Sequence, residues 1–329
     1  MLDTHYQLYL DYKNSMKNLK FLSLVILALF LFSCETKNKD GKTDTLTSGV
    51  IKIAVDESFQ PIIQEELDVF EAQFPKAGII PIYTNEVEAI NSLLKDSVRV
   101  SIVTRPLSSK EENSLKSRKF APRFYKIAVD GIALIVNNQN PDSMICVSDI
   151  RKILTGEVTN WKDVYPKSKL GKFTVVFDNR NSSTIRYAID SICNGAPLSK
   201  SLNAQATNLE VIDFVSRTPN AIGVIGVNWL GDRKDTANLS FKSEIKVMSV
   251  SRGTSATTEN SYKPFQAYLF YEYYPLTRSV YLILNDPRGS LPTGLTSFLT
   301  SDRGQRIILK SGLVPATQPI RIVNVKDEQ

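Results

Sequence analysis

Residues 127–136 read IAVDGIALIV, and this stretch decides the fold of the 329-residue chain. Its apolar residues are nearly continuous, which is typical of a strand buried on both faces of a sheet. Further β-rich runs lie at residues 50–55, 98–104, 173–177, 222–227, 245–250 and 280–284. Because helical patterns alternate with these runs, the sequence predicts an α/β fold with mostly parallel sheets.

The helical patterns place apolar residues at the spacing of one helix face. After Pro61, Ile63 and Leu67 begin such a face, and residues 148–154 and 184–192 show similar patterns. In open sheets of this type, ligands bind beyond the carboxyl ends of the strands, often at helix N-termini. The turns that follow strands are therefore where a site is expected.

Length and composition limit the kinds of protein the chain can be. At about 150 residues per domain, the length predicts roughly two domains, and 42% hydrophobic residues allow a sizeable core. The sequence contains one histidine, His5, upstream of a predicted cleavage site. The mature chain would then lack the histidine that Ser-His-Asp triads, Cys-His pairs and His-ligated zinc sites need. Most common hydrolase mechanisms are thereby excluded.

The charge and the cysteines exclude further partners. The formal net charge is +6, but the basic residues are scattered and form no block of the kind seen in nucleic-acid-binding tails. Cys34, Cys146 and Cys193 form no CxxC pair and, without histidine, cannot complete a four-ligand zinc site. We expect no metal, no cofactor and no nucleic acid. Cys146 and Cys193 could form a disulfide or stay as buried thiols.

The N-terminal residues predict export. A short basic segment at residues 16–20 precedes an apolar run at residues 21–32, which is too short to span a bilayer as a helix. Both features fit a secretory signal peptide over residues 1–33, with Met16 as the true start.

The sequence LFSC at residues 31–34 resembles a bacterial lipobox, in which Cys34 would carry a lipid. The alternative is an ordinary signal peptide with an incidental cysteine. Residues 34–48 are polar and predict a flexible tether between the anchor and a folded body. We expect the protein in the cell envelope of a bacterium, attached to a membrane and facing the periplasm.

Three hydroxyl-rich turns each follow a strand and precede a helix. They are DESF at residues 56–59, TRPLSS at 104–109 and DNRNSST at 178–184. A helix N-terminus attracts anions through unpaired N–H groups and a partial positive charge. Hydroxyls and an arginine fork complete an oxyanion cage that needs no metal. Each turn alone is more typical of an ordinary N-cap, but the three together favour a binding site.

Four motifs carry a family resemblance. VSDIRKILTGEVTNW at residues 147–161, PNAIG at 219–223, YPLTR at 274–278 and GLVP at 312–315 resemble segments of the PstS-like phosphate-binding solute-binding proteins of ABC importers. The similarity runs over most of residues 49–317. It implies the type 2 periplasmic-binding protein fold, an α/β fold with two lobes, mixed and mostly parallel sheets flanked by helices, and a hinge of two crossing strands.

The resemblance also implies the lobe boundaries. Lobe 1 is expected over residues 49–128 and 263–329, and lobe 2 over residues 129–262. The hinge strands would cross near residues 129 and 262, and the ligand would lie in the cleft between the lobes.

The family's ligand turns match residues from both lobes. The site residues that the resemblance implies are Ser58, Thr104, Arg105, Asp178, Arg180, Ser182, Ser183 and Thr184. The position of the family's arginine holds Asp178 here, and Arg180 lies two residues further on. Arg180 could reach the same anion.

A carboxylate in the cage would select phosphate. Near neutral pH phosphate keeps a proton that it can donate, whereas sulfate would leave the acceptor unpaired and repelled. Asp178 and Asp56 are the candidates, and either could instead be a cap or a partner of Arg180.

The resemblance thus predicts a monomeric solute-binding protein, not an enzyme, that captures inorganic phosphate and delivers it to ABC permease subunits. One alternative keeps the fold and binds another oxyanion or a small organic anion. Another is a sensing or adhesion lipoprotein without transport. A hydrolase that uses Ser58 or Ser182 is disfavoured, since neither serine lies in a GxSxG or SxxK motif.

Overall fold

The structure is a computed structural model that describes residues 44–231 and 240–318. The strands are β1 Gly49–Asp56, β2 Ala77–Thr84, β3 Val100–Val103, β4 Arg123–Asn137, β5 Met144–Cys146, β6 Thr174–Phe177, β7 Asn203–Ala204, β8 Ala221–Gly226, β9 Ile245–Val247, β10 Ser249–Ser251, β11 Ser261–Tyr262, β12 Thr277–Leu284 and β13 Val314–Pro315. The α-helices are α1 Gln60–Gln73, α2 Glu86–Leu94, α3 Ser109–Ser117, α4 Val147–Thr155, α5 Trp161–Val164, α6 Ser183–Tyr187, α7 Asn208–Arg217, α8 Gln266–Phe270, α9 Leu291–Leu299 and α10 Asp302–Lys310.

Strand β4 joins the two halves of the main sheet. The strand order is β2-β1-β3-β12-β4-β8-β6-β7, and β9 and β13 also pair with β4. The first part of β4 pairs with β12, and the part from Ile132 to Asn137 pairs with β8 and β9. We call β2, β1, β3 and β12 the first half of the sheet, and β8, β6 and β7 the second half. The predicted buried strand at residues 127–136 is thus confirmed as the central element.

The sheet is mixed, as the α/β prediction requires, but antiparallel pairing is more extensive than expected. Parallel pairs join β1 to β2 and β3, and β6 to β7 and β8. Every pairing of β4 and β12 is antiparallel. The physical reason is that the chain enters the second half on β4 and returns on β12, so these two strands run in opposite directions side by side.

Each half has its own hydrophobic core. In the first half, α1, α9 and α10 supply apolar side chains such as Phe70 and Leu295, which belong to the same buried cluster as Leu282 of β12. In the second half, Trp161 and Tyr274 are fully buried, and the Trp161 indole N–H donates to the Asn220 carbonyl at 3.1 Å. The described part contains four clusters of buried apolar side chains, two packed on the strands of each half.

The predicted helices are found with small changes. Helix α1 begins beside Pro61, which suits its first turn, and buries Ile63, Leu67 and Phe70 as their spacing predicts. The pattern at residues 184–192 forms α6 and then a π-helix over Ala188–Ile192.

The strand predicted at residues 245–250 is wrong in one respect, because it is two strands in two sheets. Val247 in β9 pairs with β4 in the main sheet, whereas Ser249 in β10 pairs with β5 in a three-stranded sheet of order β11-β10-β5. Met248, between them, is fully buried.

Several predictions about the ends of the chain fall outside the described residues. The signal peptide and Cys34 are among them. Asp44, within the predicted tether, lies in the described part and pairs with Arg99 at 2.6 Å. Leu269 and Tyr274, which the expected boundary assigns to lobe 1, pack in the core of the second half. The lobe boundaries stay a prediction. Across residues 44–231 and 240–318, no helix is both long and apolar enough to cross a membrane.

Gly223 in β8 is a close-packed position that tests this fold. A Cβ there would lie 2.7 Å from Ile135 Cγ1 and 2.9 Å from Val215 Cγ2. We expect Gly223→Ala to lower the free energy of unfolding by about 1–3 kcal/mol through overpacking, as measured by denaturant titration. Gly171→Ala, where a Cβ meets nothing within 4 Å, is the control and should change it little. Equal stability of the two variants would contradict the packing of α7 on β8.

Candidate anion-binding site

A buried arginine lies where β4 and β12 meet. The Arg278 residue is 5% exposed, its Nε donates to Asp130 Oδ2 at 3.0 Å, and its Nη1 donates to Ser183 Oγ at 2.7 Å. The guanidinium also lies over the Phe59 ring, 5.1 Å from its centre. At Gly226 a Cβ would come 3.2 Å from Asp130 Oδ2, so a glycine lets β8 approach this ion pair. These contacts fix the arginine in one orientation.

Two of the predicted serines meet beside this arginine. Ser58 lies in the 3-10 turn after β1, where its N–H donates to Asp56 Oδ1 at 3.0 Å. Its hydroxyl is 3.4 Å from that of Ser183, the first residue of α6. The Ser58 carbonyl accepts from Asn228 Nδ2 and Trp229 Nε1, each at 2.8 Å. The first turn is thereby attached to the second half of the sheet.

The third predicted turn wraps around Asp178. Ser182 Oγ donates to Asp178 Oδ1 at 2.6 Å and accepts from the Ile185 N–H at 3.2 Å, which makes Ser182 the N-cap of α6. Thr184 follows in the first turn of α6, and its buried hydroxyl makes no hydrogen bond with any residue that the structure describes. The structure confirms Ser182 as an N-cap, and the site interpretation of this turn stays a prediction.

These residues form what we call the buried polar cluster: Asp56, Ser58, Asp130, Asp178, Ser182, Ser183, Thr184 and Arg278. Several of its polar atoms make no hydrogen bond with the described residues, namely Asp56 Oδ2, Asp130 Oδ1, Asp178 Oδ2, Thr184 Oγ1 and Arg278 Nη2. Arg278 Nη2 lies 3.0 Å from Asp130 Oδ2 as an ion pair, without hydrogen-bond geometry. A buried polar atom without a partner costs about 1–3 kcal/mol. So many in one place are typical of a site that a polar ligand completes.

Burial controls the ionisation of the cluster. It raises the pKa values of Asp56 and Asp130 above their ordinary values, and that of Asp178 to about 7. Burial alone would lower the pKa of Arg278, but the carboxylates of Asp130 and Asp56 outweigh it and raise that pKa. Arg278 is therefore a permanent cation, while Asp178 carries a proton part of the time near neutral pH.

Thr104 belongs to a second polar network beside the cluster. Its hydroxyl donates to Glu86 Oε1 at 2.6 Å and accepts from Arg186 Nη2 at 2.6 Å. Arg186 also forms an ion pair with Glu86, whose side chain is 2% exposed. Burial opposes ionisation of Glu86, but the hydrogen bond and the charge of Arg186 hold its pKa below its ordinary value. This network joins α2 of the first half to α6 of the second.

The two arginines predicted from the sequence lie outside the cluster. Arg105 makes a two-pronged ion pair with Glu111, at 2.8 and 2.9 Å, and thereby lowers the pKa of Glu111 to about 2. Arg180 is exposed and makes no hydrogen bond or ion pair with the described residues. Both stay predictions as ligands of an anion.

Sequence reasoning did not assign Arg278, Asp130 or Arg186 to the site. A signal for two of them was present, since Asp130 interrupts the apolar run of β4 and Arg278 lies in β12, two residues before the apolar run of that strand. A charge inside a buried strand must find a partner, and two such strands predict an ion pair.

Two of the three cysteines lie in the described part of the chain. Cys146 and Cys193 are both buried and free. Cys146 Sγ lies 3.0 Å from Asp149 Oδ2. Within residues 44–231 and 240–318, no three His, Cys, Asp or Glu side chains are grouped so that they could hold a metal ion.

Comparison with known proteins identifies the family. Residues 40–303 match the family described as the PBP superfamily domain, and the chain belongs to it. Phosphate-binding protein PstS of Borreliella burgdorferi is 24% identical over 311 residues, 91% of this chain and 99% of that protein. Phosphate-binding protein PstS of Bacillus subtilis is 23% identical over 236 residues, 68% of this chain and 75% of that protein.

A solved structure supports the same fold. The structure of an ABC-type phosphate transport receptor from Vibrio cholerae superposes with a TM-score of 0.62 at 19% identity, over 81% of this chain and all of that chain. The type 2 periplasmic-binding protein fold and the resemblance to phosphate-binding proteins of ABC transporters are thus confirmed.

The Glu86–Arg186 ion pair gives a test of the second network. Arg186→Met would leave a buried carboxylate unpaired, so we expect a loss of about 3–5 kcal/mol in the free energy of unfolding at neutral pH. Because the pKa of Glu86 is lowered in the native protein, its pairing stabilises the fold above the unfolded pKa and is lost as pH falls. The difference in free energy of unfolding between the native protein and Arg186→Met should therefore shrink as the pH falls toward about 4.

Arg217→Met is the matched control. Arg217 pairs with Asp213 on the exposed face of α7, so its removal should change stability by about 0.5 kcal/mol or less at any pH. Urea titrations at neutral and acidic pH measure both variants. A pH-independent loss in Arg186→Met would contradict the assigned pairing.

Proposed function

We propose that the protein is a solute-binding protein that captures inorganic phosphate in the buried polar cluster and delivers it to an ABC importer. It would act as a binding protein and not as an enzyme. The observation that carries the proposal is the group of unpaired buried atoms around Arg278, which includes both donors and acceptors. The relatives named above are phosphate-binding proteins, which supports the choice of ligand.

Phosphate has the chemistry that the cluster lacks. Its oxygens accept from Arg278 Nη2 and from the Thr184 and Ser58 hydroxyls, and its P–OH group donates to a carboxylate such as that of Asp178. The Ile185 N–H at the start of α6 is already used by Ser182 Oγ, so the donors to phosphate would be side chains. Sulfate at neutral pH only accepts, so the unpaired carboxylate oxygens would repel it.

Ligand binding would be linked to closure of the two halves. Ser58 comes from the first half, while Ser183 and Thr184 come from the second, so an anion is fully contacted only when the halves meet. The contacts of Ser58 with Asn228 and Trp229, and the Glu86–Arg186 pair, would hold the closed form. A ligand that contacts both lobes favours the closed conformation, so the form with bound ligand differs in shape from the empty form.

The protein would be exported and attached to a membrane. Residues 1–33 would direct export and be removed, and a lipid on Cys34 would hold the protein at a membrane of the bacterial cell envelope, facing the periplasm. Attachment beside the permease raises the effective concentration of the loaded protein there. We propose that it acts as a monomer.

The first test is calorimetry with inorganic phosphate and with sulfate. We expect one phosphate bound per chain and no heat with sulfate. Thr184→Val, which replaces the unpaired hydroxyl with a methyl of similar size, should weaken phosphate binding about tenfold. The stability of the ligand-free variant should be unchanged or slightly higher, because no hydrogen bond is lost.

Thr296→Val is the matched control. Thr296 is also buried, but its hydroxyl donates to the Pro292 carbonyl in α9, away from the cluster. This variant should lose stability and keep its phosphate affinity. No binding of phosphate, or equal binding of sulfate, would contradict the proposed function.

A second test separates the three candidate arginines. Lysine keeps the charge but not the planar fork, so we expect Arg278→Lys to weaken phosphate binding by at least about tenfold. Arg180→Lys and Arg105→Lys should bind phosphate as the native protein does, since neither side chain lies in the cluster. Calorimetry and thermal unfolding of all three variants separate loss of ligand from loss of fold. A larger loss of phosphate affinity in Arg180→Lys than in Arg278→Lys would show that Arg180, and not Arg278, binds the phosphate.

A further inference from the structure

The buried polar cluster holds more carboxyl groups than guanidinium groups. Asp56, Asp130 and Asp178 each expose 0% of their surface, and Arg278 is the cationic side chain among the cluster residues. Only Asp130 pairs directly with it, at 3.0 Å. A fully ionised cluster would therefore carry a net negative charge at the place where an anion is to bind.

Each of these carboxyl groups also lacks one hydrogen-bond donor. The oxygens concerned are Asp56 Oδ2, Asp130 Oδ1 and Asp178 Oδ2. A ligand that only accepts would leave them unpaired in a dry site and would be repelled by them. The site can be satisfied only if hydrogens arrive with the ligand or are already bound to the carboxyl groups. Three carboxyl oxygens lack a donor, and monohydrogen phosphate brings one hydrogen. The complex therefore contains more protons than monohydrogen phosphate and a fully ionised cluster hold separately.

We propose, on the basis of the proposed function, that phosphate enters this site with at least one more proton than monohydrogen phosphate carries, so that binding takes up a proton from solvent above neutral pH. Asp178 and the phosphate oxygen that faces it share this proton. Arg278 supplies the single positive charge for a ligand that then behaves as a monoanion. Asp178, at the position of the family's arginine, is thus the residue that determines which protonation state is bound.

The surroundings of Asp178 support this assignment. Burial is the main cause that raises its pKa to about 7, and neighbouring Asp56 and Glu57 raise it further, against Ser182 and Arg278. The charged and titratable groups that face the cluster are Asp56 at the end of β1, Glu57 after it, Glu86 on α2 with its partner Arg186 on α6, Asp130 on β4, Tyr187 on α6 with Arg252 near it, and Arg278 on β12. Acidic groups outnumber cations among them, so a bound anion would raise the pKa of Asp178 still more.

The affinity for phosphate should fall as the pH rises above neutral. Below about pH 7 the free site already holds the proton on Asp178, and binding needs no uptake. Above that pH free phosphate is mainly monohydrogen phosphate and Asp178 is mainly ionised, so the complex takes up its one shared proton from solvent. The phosphate affinity should then fall about tenfold per pH unit for one proton taken up.

The test is calorimetry of the full chain with inorganic phosphate from about pH 6.5 to about pH 9, in buffers of different ionisation enthalpy. We expect about one proton taken up per phosphate above neutral pH and a matching fall in affinity. Asp178→Asn should flatten the pH profile and bind phosphate more tightly than the native protein at the highest pH. Asp213→Asn, on the exposed face of α7, is the control and should keep the native profile.

The outcomes separate the inference from the function it rests on. Phosphate binding with a flat pH profile and no buffer-dependent heat would overturn the proton uptake and leave the phosphate function standing. Native proton uptake in Asp178→Asn would overturn the role of Asp178. No phosphate binding at any pH would instead overturn the proposed function. Thermal unfolding of Asp178→Asn without ligand shows whether the variant is folded.

Discussion

Arg278 on β12 and Asp130 on β4 lie opposite each other in the antiparallel register of the two strands that connect the halves of the sheet. Both side chains are almost completely buried, so neither charge could be kept in place without the other. The pair therefore fixes the relative register of the two connecting strands. It also places a guanidinium between the two halves, where the turn after β1, strand β8 and helix α6 all approach it.

The elements that surround this ion pair contact it directly. The Phe59 ring covers the guanidinium, and Ser183 at the start of α6 accepts from it. Gly226 leaves room for the pair beside β8. The serine hydroxyl of the first half then meets that of the second at 3.4 Å. A ligand bound here would contact both halves, which connects the packing of the fold to capture of a solute.

Much of the fold could be predicted from the sequence, because it depends on local patterns. The continuous apolar run of β4 and the spacing of Ile63 and Leu67 on α1 report burial directly. The division of residues 245–250 into two strands could not be seen, since both strands are apolar and differ only in their partners. The same limit explains the excess of antiparallel pairing, which depends on the path of the chain.

The candidate site was predicted in part for a similar reason. The hydroxyls of Ser58, Ser182, Ser183 and Thr184 follow strands and precede helices, so sequence position alone brought them to notice. Arg278 comes from a strand that begins nearly a hundred residues after α6, and only the fold brings it to Ser183. Arg180 was favoured because it is near the motif in sequence, yet its turn projects it into solvent. The cation beside Asp178 in the cluster thus comes from another element of the fold.

The most direct test of this account is a crystal structure of the protein grown with inorganic phosphate. The account predicts one tetrahedral anion in the buried polar cluster, within hydrogen-bond distance of Arg278 Nη2, the Thr184 hydroxyl and an Asp178 oxygen. An anion held by Arg180 or Arg105 instead, with the cluster empty of ligand, would contradict it.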